Sequence, residues 1–272
     1  MSVSAHDLDQ RARILTAPSR YLTTAHTRTL TGHGAQTLVR LTQEGDLIAQ
    51  QQGPKSFTYN ARSVLSYCRR SQSGPLTLFD ALTTVHGDHL TEDEVTSELR
   101  RTASGTWWTL VRRDQQVPPD WPSWARWFEG EHGQAEQELL AQKPRWTQQI
   151  REERARGLIH RTLWVPNAPL RTDFGQYTLA QFTHVVAAGG SVDTLPVWKV
   201  ELLEDQRPLP DLEVTPRAVY VRTHTAIGAR DGAVRITDPG LVKATAGFVA
   251  WAARQRATPL SDFVRWHHHD AA

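Results

Sequence analysis

Gln36, Thr37, Arg40 and Gln43 are the residues of this 272-residue chain whose types and spacing most directly suggest chemistry. Steps of one, three and three set them along one side of a helix, while Leu38 and Leu41 take the other side. Glutamine pairs in a two-pronged fashion with adenine and arginine with guanine, so this stripe has the means to read base edges in a DNA major groove. Thr31 and His33 stand just before it, where the N–H groups of a helix start offer themselves to a phosphate. Gln51 and Lys55 lie beyond it beside the turn pair Gly53-Pro54, and Arg28 and Arg62 flank it. Those four are expected to hold the DNA backbone or the minor groove.

The stripe needs a scaffold, and the surrounding sequence supplies one. Residues 23–30 read as a helix, Thr31-Gly32-His33-Gly34 as a turn, and residues 35–44 as the second helix. Gly45-Asp46-Leu47 is its exit, since a glycine there takes the left-handed conformation that ends a helix at little cost. Residues 48–59 read as a β-hairpin with Phe57 and Tyr59 alternating on its return strand, and residues 61–70 as a closing helix. Leu38 and Leu41 should pack on Leu30, Leu47 and Val64, with Cys68 as a small packing residue.

The run Thr37-Leu38-Val39-Arg40-Leu41, followed by Gly45-Asp46-Leu47, resembles the excisionase-type and MerR-type winged helix-turn-helix family over residues 21–70. The resemblance implies double-stranded DNA as partner, with the hairpin as the wing, and a homodimer or a small-molecule effector as further partners. The turn departs from the family pattern: it holds two glycines and a histidine where serine or arginine often opens the recognition helix. Charge agrees with a nucleic-acid-facing end. Residues 1–75 carry nine Arg and Lys against four Asp and Glu, whereas the remainder carries 22 against 25.

Bulk composition excludes several classes. A 39% hydrophobic content with ten tryptophans is enough for packed cores. The single cysteine leaves no internal disulfide and no cysteine-rich zinc site. No apolar run approaches the ~20 residues of a membrane span. The polar first ten residues, with Asp7 and Asp9, do not read as a signal peptide, so no membrane partner and a cytoplasmic location are expected.

Ser71-Gln72-Ser73-Gly74-Pro75 has linker chemistry. Beyond it, Leu78, Leu82 and Val85 suit one helix face, Val95 and Leu99 another, and Trp107-Trp108-Thr109-Leu110-Val111 a strand closed by Pro118-Pro119. Helix, helix and strand in that order make residues 76–119 a candidate second winged helix. Trp121, Trp124 and Trp127 follow, and the Trp124, Trp127 and Phe128 spacing fits one core-facing helix side. A helical pattern over residues 134–156 should break or kink near Pro144. Strands near residues 159–165, 192–197, 219–223 and 234–236, with helices over 177–188 and 239–256, make an α/β succession. The expected fold class is therefore α+β and multidomain. It comprises a winged helix-turn-helix over 1–74, a helical, winged-helix-like and Trp-rich connector over 75–135, an α/β domain over 136–266 and a tail over 267–272.

Ala155-Arg156-Gly157, Arg161, Gly189-Gly190 and Ala257-Thr258-Pro259-Leu260 make the C-terminal part resemble an uncharacterised actinobacterial domain that accompanies regulators. That domain looks like a catalytically silent relative of the phospholipase D fold. The run from His224 to Asp231 overlays the His-x-Lys-x-x-x-x-Asp motif of that superfamily, but Ala226 stands at the lysine position. Without that fixed positive charge a phosphorane-like transition state has no stabiliser. His160 and His184 also lack a lysine two residues on, so no second copy exists. No catalytic residue, metal or cofactor is expected, and ligand sensing or self-association remains for this domain. His224 and Asp231 read equally well as a surface pair at a hairpin end.

His267-His268-His269 reads as a flexible tail rather than a metal clamp. Glu92-Asp93-Glu94 suits the positive end of a helix after Thr91, and Glu204 and Asp205 read as solvated acids before a proline-rich loop. The expected function is sequence-specific DNA binding in transcription regulation. Alternatives are a DNA-architectural role in a mobile element or plasmid, excisionase-like or partition-like, and phosphodiester hydrolysis through His224.

Overall fold

A computed structural model describes residues 3–16, 20–53, 56–72, 74–113, 121–226 and 228–270. Pro54, Lys55, Ser73, Pro118 and Pro119, each given a role above, lie outside the described residues. The chain is mixed α and β and divides into two compact units, Met1–Thr84 with Trp198–Arg207, and Val85–Val197 with Pro208–Ala272.

The first unit contains α1 (Ala5–Leu15), β1 (Tyr21–Thr23), α2 (Thr24–Thr31), α3 (Ala35–Gln43), β2 (Ala49–Gly53), β3 (Ser56–Asn60), α4 (Ala61–Ser71) and α5 (Leu78–Thr84). Three of its helices start on side-chain caps: Ser4 for α1, Thr23 for α2 and Asn60 for α4 each accept an N–H of the first turn. Gly32, at φ 75°, closes α2. Beyond α3, Gly45 (φ 85°) lets its own N–H reach Thr42 O at 3.2 Å and the Asp46 N–H reach Leu41 O at 2.9 Å, a Schellman ending.

β1, β3 and β2 form a three-stranded antiparallel sheet in that order, so the expected hairpin gains a third strand from Tyr21–Thr23. Leu30, Leu38, Leu41, Leu47, Tyr59, Val64 and Cys68 are buried together, as the spacing required. Burial pushes the Cys68 thiol up to about 11, which suits packing rather than redox chemistry. Asp205 is not the solvated acid expected from its proline-rich surroundings. It accepts from Arg69 Nε at 3.1 Å, and Arg62 pairs with Glu201, both acids lying on the returning 198–207 segment.

The second unit contains β4 (Asp88–Leu90), α6 (Glu92–Arg100), β5 (Gly105–Val111), α7 (Pro122–Phe128), α8 (His132–Ala155), β6 (Leu158–Trp164), α9 (Asp173–Ala187), β7 (Val192–Thr194), β8 (Leu212–Val214), β9 (Val219–His224), β10 (Arg230–Ile236), α10 (Pro239–Gln255), β11 (Thr258–Pro259) and α11 (Leu260–Asp270). Among the described residues its sheet has eight strands in the order β11-β7-β6-β5-β8-β9-β10-β4. β5, β6 and β7 run parallel, joined by helical crossovers, and every other neighbouring pair is antiparallel.

This arrangement differs from a second winged helix over residues 76–119. α5 belongs to the first unit, while β5 is a central strand hydrogen-bonded to β6 on one side and β8 on the other. A strand whose two edges are both taken cannot be a solvent-facing wing. Among the described residues, 85–113 and 121–135 therefore belong to the larger unit and form no separate connector. α8 runs unbroken through Pro144, whose ring leaves the Leu140 carbonyl without an N–H on the half-exposed side of the helix.

Trp124 and Trp127 do pack inward, against Tyr177 at 5.2 and 5.8 Å between ring centroids, but Phe128 is 70% exposed. The helix α11 carries the backbone of the three-histidine run to Asp270, so that run is not a free tail. His224 faces the buried Asp211, its Nε2 3.5 Å from Oδ2, while Asp231 points to solvent; the expected His224 and Asp231 surface pair does not form.

Gly232 shows how tightly the sheet edge is specified. It sits at a bulge between Arg230 and Ala233 with φ 101°, and a Cβ there would lie 1.9 Å from Leu90 O. Gly232→Ala is expected to cost at least ~2 kcal/mol, from a left-handed backbone and a clash with β4. Gly74→Ala, where a Cβ meets nothing within 4 Å, should leave the urea midpoint unchanged. Equal midpoints for both variants would contradict this register.

Candidate functional site

In the first unit, α3 presents its stripe outward. Gln36, Arg40 and Gln43 are exposed and Thr37 is half-buried, while Leu38 and Leu41 anchor the opposite side. Its N-cap, Gly34, contributes no side-chain acceptor, so the first-turn N–H groups keep their partial positive charge for another anion. That is a physical reason for glycine where the related pattern carries serine. Arg40 Nη1 lies 2.8 Å from Glu44 Oε1, an exposed i,i+4 pair of ~0.3–0.5 kcal/mol. A bidentate guanine contact of ~1–3 kcal/mol outweighs it.

The other expected contacts divide. Arg28 is exposed on α2. His33 is turned toward α4, with Nε2 2.8 Å from the Tyr67 hydroxyl, so its ring positions the turn while its neighbours meet solvent. Arg62 is held by Glu201 in an exposed pair. Gln51 lies exposed on β2 with its amide on Gly53 O at 3.1 Å, and Gln50 and Gln52 are exposed beside it. Lys55 is outside the described residues. Sequence reading missed Gln50 and Gln52, although the run Gln50-Gln51-Gln52 is visible in the chain.

In the second unit, one sheet face borders a cavity of about 1540 Å³ roofed by α6, α8 and α9. Strand alternation puts Trp107, Thr109, His160 and Glu213 on this face, since Trp107 pairs with His160 and Thr109 with Glu213 across the ladders. Glu213 Oε2 accepts from Trp107 Nε1 at 2.7 Å and from the Thr109 hydroxyl at 2.6 Å. The single hydrogen of Thr109 is thereby used, so its 2.8 Å contact with His160 Nε2 requires the imidazole to donate. Burial lowers the His160 pKa, against the raising effect of Glu213 and Glu153, and favours that neutral donor ring. The ring lies flat on Trp107, centroids 4.0 Å apart.

Farther along the same face is Arg222 of β9, with a side chain only 4% exposed. Its Nη2 donates to Glu92 Oε1 at 2.8 Å, while Nε and Nη1 are enclosed without a hydrogen-bond partner. Glu92 thus does more than suit a helix start, although Thr91 and Glu94 do form the capping box there. Arg230 also lines the cavity. His224 lies nearby but is not among the cavity-lining residues. Its pKa is pushed down to about 4, first by burial and then by Arg113, Arg230 and Arg222, against the pull of Asp211.

The sequence showed the strand carrying Trp107 and Thr109, but none of these residues was singled out for a cavity. One signal was present: an arginine amid Val219, Tyr220 and Val221 is a charge in the middle of a buried strand. Among the described residues no group of three or more His, Cys, Asp or Glu is arranged to hold a metal ion. No described helix is long and apolar enough to cross a membrane.

A family model described as Domain of unknown function (DUF6879) matches residues 93–265. Comparison with curated proteins and with solved structures gave no match.

A histidine with a depressed folded-state pKa binds its proton more weakly than the unfolded chain does. The stability it contributes is complete above its ordinary pKa of 6.5 and is lost as pH falls through about 4. Urea midpoints measured from pH 7 to pH 4 should fall for the wild type and fall less for His224→Gln. Parallel curves would exclude His224 as a source of the acid sensitivity.

Proposed function

This chain belongs, through residues 93–265, to the family described as Domain of unknown function (DUF6879), and we propose that the unit outside that match holds duplex DNA. In this reading the protein is a sequence-specific regulator of winged helix-turn-helix type. α3 enters the major groove with Gln36, Thr37, Arg40 and Gln43, and the β2–β3 ribbon lies against the backbone or minor groove as the wing. The observation that carries the reading is that one compact unit holds both an uncapped amphipathic helix with an outward polar row and an exposed, glutamine-bearing ribbon. A helix used only for packing needs neither an open N-terminus nor an outward row of base-pairing side chains.

The family unit then serves as the ligand-holding half, and its cavity is the observation favouring that over self-association. Hydrolysis through His224 draws no support from the site, because the imidazole is enclosed beside Asp211 and does not line the cavity.

Duplexes selected from random sequence by the full-length protein provide the test. Affinity should fall steeply with salt, as neutralised phosphates release counterions. Arg40→Ala should weaken the selected duplex by ~1–3 kcal/mol and relax preference at one base pair. Arg28→Ala should weaken all duplexes alike and reduce the salt slope. Recovery of no enriched duplex, or an Arg40→Ala protein with full affinity and specificity, would refute the assignment of α3.

A further inference from the structure

We propose that the cavity of the second unit binds a small planar-ring carboxylate, with its carboxylate on Arg222 and its ring between the aromatic walls. This rests on reading the unit as ligand-holding and is independent of DNA binding by the first.

The acceptor and donor balance of the cavity selects an anion. Four acids line it, and each already has a donor within the fold, Glu152 from Gln148 at 2.9 Å. Glu213 accepts from Trp107 and Thr109, Glu153 from Gln149 at 2.9 Å, and Glu92 from Arg222. The buried guanidinium is the group left short, with Nε and Nη1 lacking acceptors on a side chain 4% exposed. Arg100, Arg145, Arg156 and Arg230 add further positive charge on the lining. A guanidinium presents two forks, Nε with Nη2 and Nη1 with Nη2; Nη2 carries a second N–H beyond the one given to Glu92, so one fork can still meet a carboxylate with two parallel hydrogen bonds.

The rest of the cavity selects the body of the ligand. Trp107, Trp146, Phe174 and Phe182 line it, giving flat apolar surfaces suited to a ring. A volume of about 1540 Å³ admits one or two fused rings with space for water. Glu92 Oε2 is the one further enclosed atom of this pair without a partner. A ring carrying a hydroxyl or N–H beside its carboxylate would supply the missing donor. A cationic amine could reach Glu92 Oε2 only beside the Arg222 and Arg230 charges, which repel it.

The test is a titration of the full chain by calorimetry and ligand-observed NMR, with no DNA present. The probes are salicylate and indole-3-acetate, their neutral amides salicylamide and indole-3-acetamide, and the amine tryptamine. At least one acid should bind ten times or more tighter than its amide, and tryptamine should bind no better than the amides. Arg222→Met should abolish the preference for the acid while leaving amide binding unchanged. Should that variant fail to fold, Thr96→Trp, which fills the cavity from α6 and retains both Arg222 and Glu92, should remove acid binding. Equal affinity for acid and amide, preference for tryptamine, no binding of either acid at millimolar concentration, or unaltered acid binding in Thr96→Trp would each overturn the proposal. A chain that selects no duplex yet binds the acids would refute only the DNA reading.

Discussion

The Thr109 hydroxyl has one hydrogen, and its position decides how the larger unit is assembled. Given to Glu213 at 2.6 Å, it ties β5 to the antiparallel half of the sheet; accepting from His160 at 2.8 Å, the same oxygen ties β5 to the parallel half. The sheet changes from parallel to antiparallel pairing at this strand. With Trp107 also donating to Glu213, the buried carboxylate has two good donors, which offsets the desolvation cost of placing it there. The network is satisfied by its own members and the Trp107 and His160 rings lie flat together, so this side of the cavity is a fixed wall.

A similar economy of means shapes the smaller unit. Leu38 and Leu41 are buried on one side of α3, and the Schellman ending at Gly45 turns the chain so that Leu47 returns to the same core. Once those leucines are fixed, Gln36, Arg40 and Gln43 have no direction but outward. Tyr59 on β3 and Val64 on α4 are likewise buried within this unit.

What was legible in the sequence follows the range of the interactions. The α2–α3–β2–β3–α4 order and the packing leucines were readable because caps, glycine exits and i, i+3 spacing act within a few residues. Strand β5 was readable as a strand, yet its partners were not, since its hydrogen bonds go to residues some fifty and a hundred positions away. β8 is three residues, Leu212-Glu213-Val214, too short to show alternation after a proline-rich loop. The 198–207 segment joins the first unit from deep within the chain through ion pairs such as Asp205 with Arg69, which no local pattern announces. The cavity residues were invisible for the same reason: Glu92, Glu213 and Arg222 gain their meaning only when the sheet brings them together.

Arg222 and Glu213 are both charged groups on one buried face, and the contrast between them is informative. Glu213 has its donors; Arg222 has one acceptor for three nitrogens, and an enclosed donor without an acceptor costs about 1–3 kcal/mol. A fold selected for stability alone has a simple remedy, since an apolar residue of similar volume in place of a buried ion pair is often neutral or stabilising. Tyr220, two residues earlier and on the same face of β9, is buried at 5% exposure and shows that this face accommodates a largely apolar side chain. An arginine kept there half-partnered acts against stability unless something else completes its hydrogen bonds. The cavity beside it is large enough to admit what would do so.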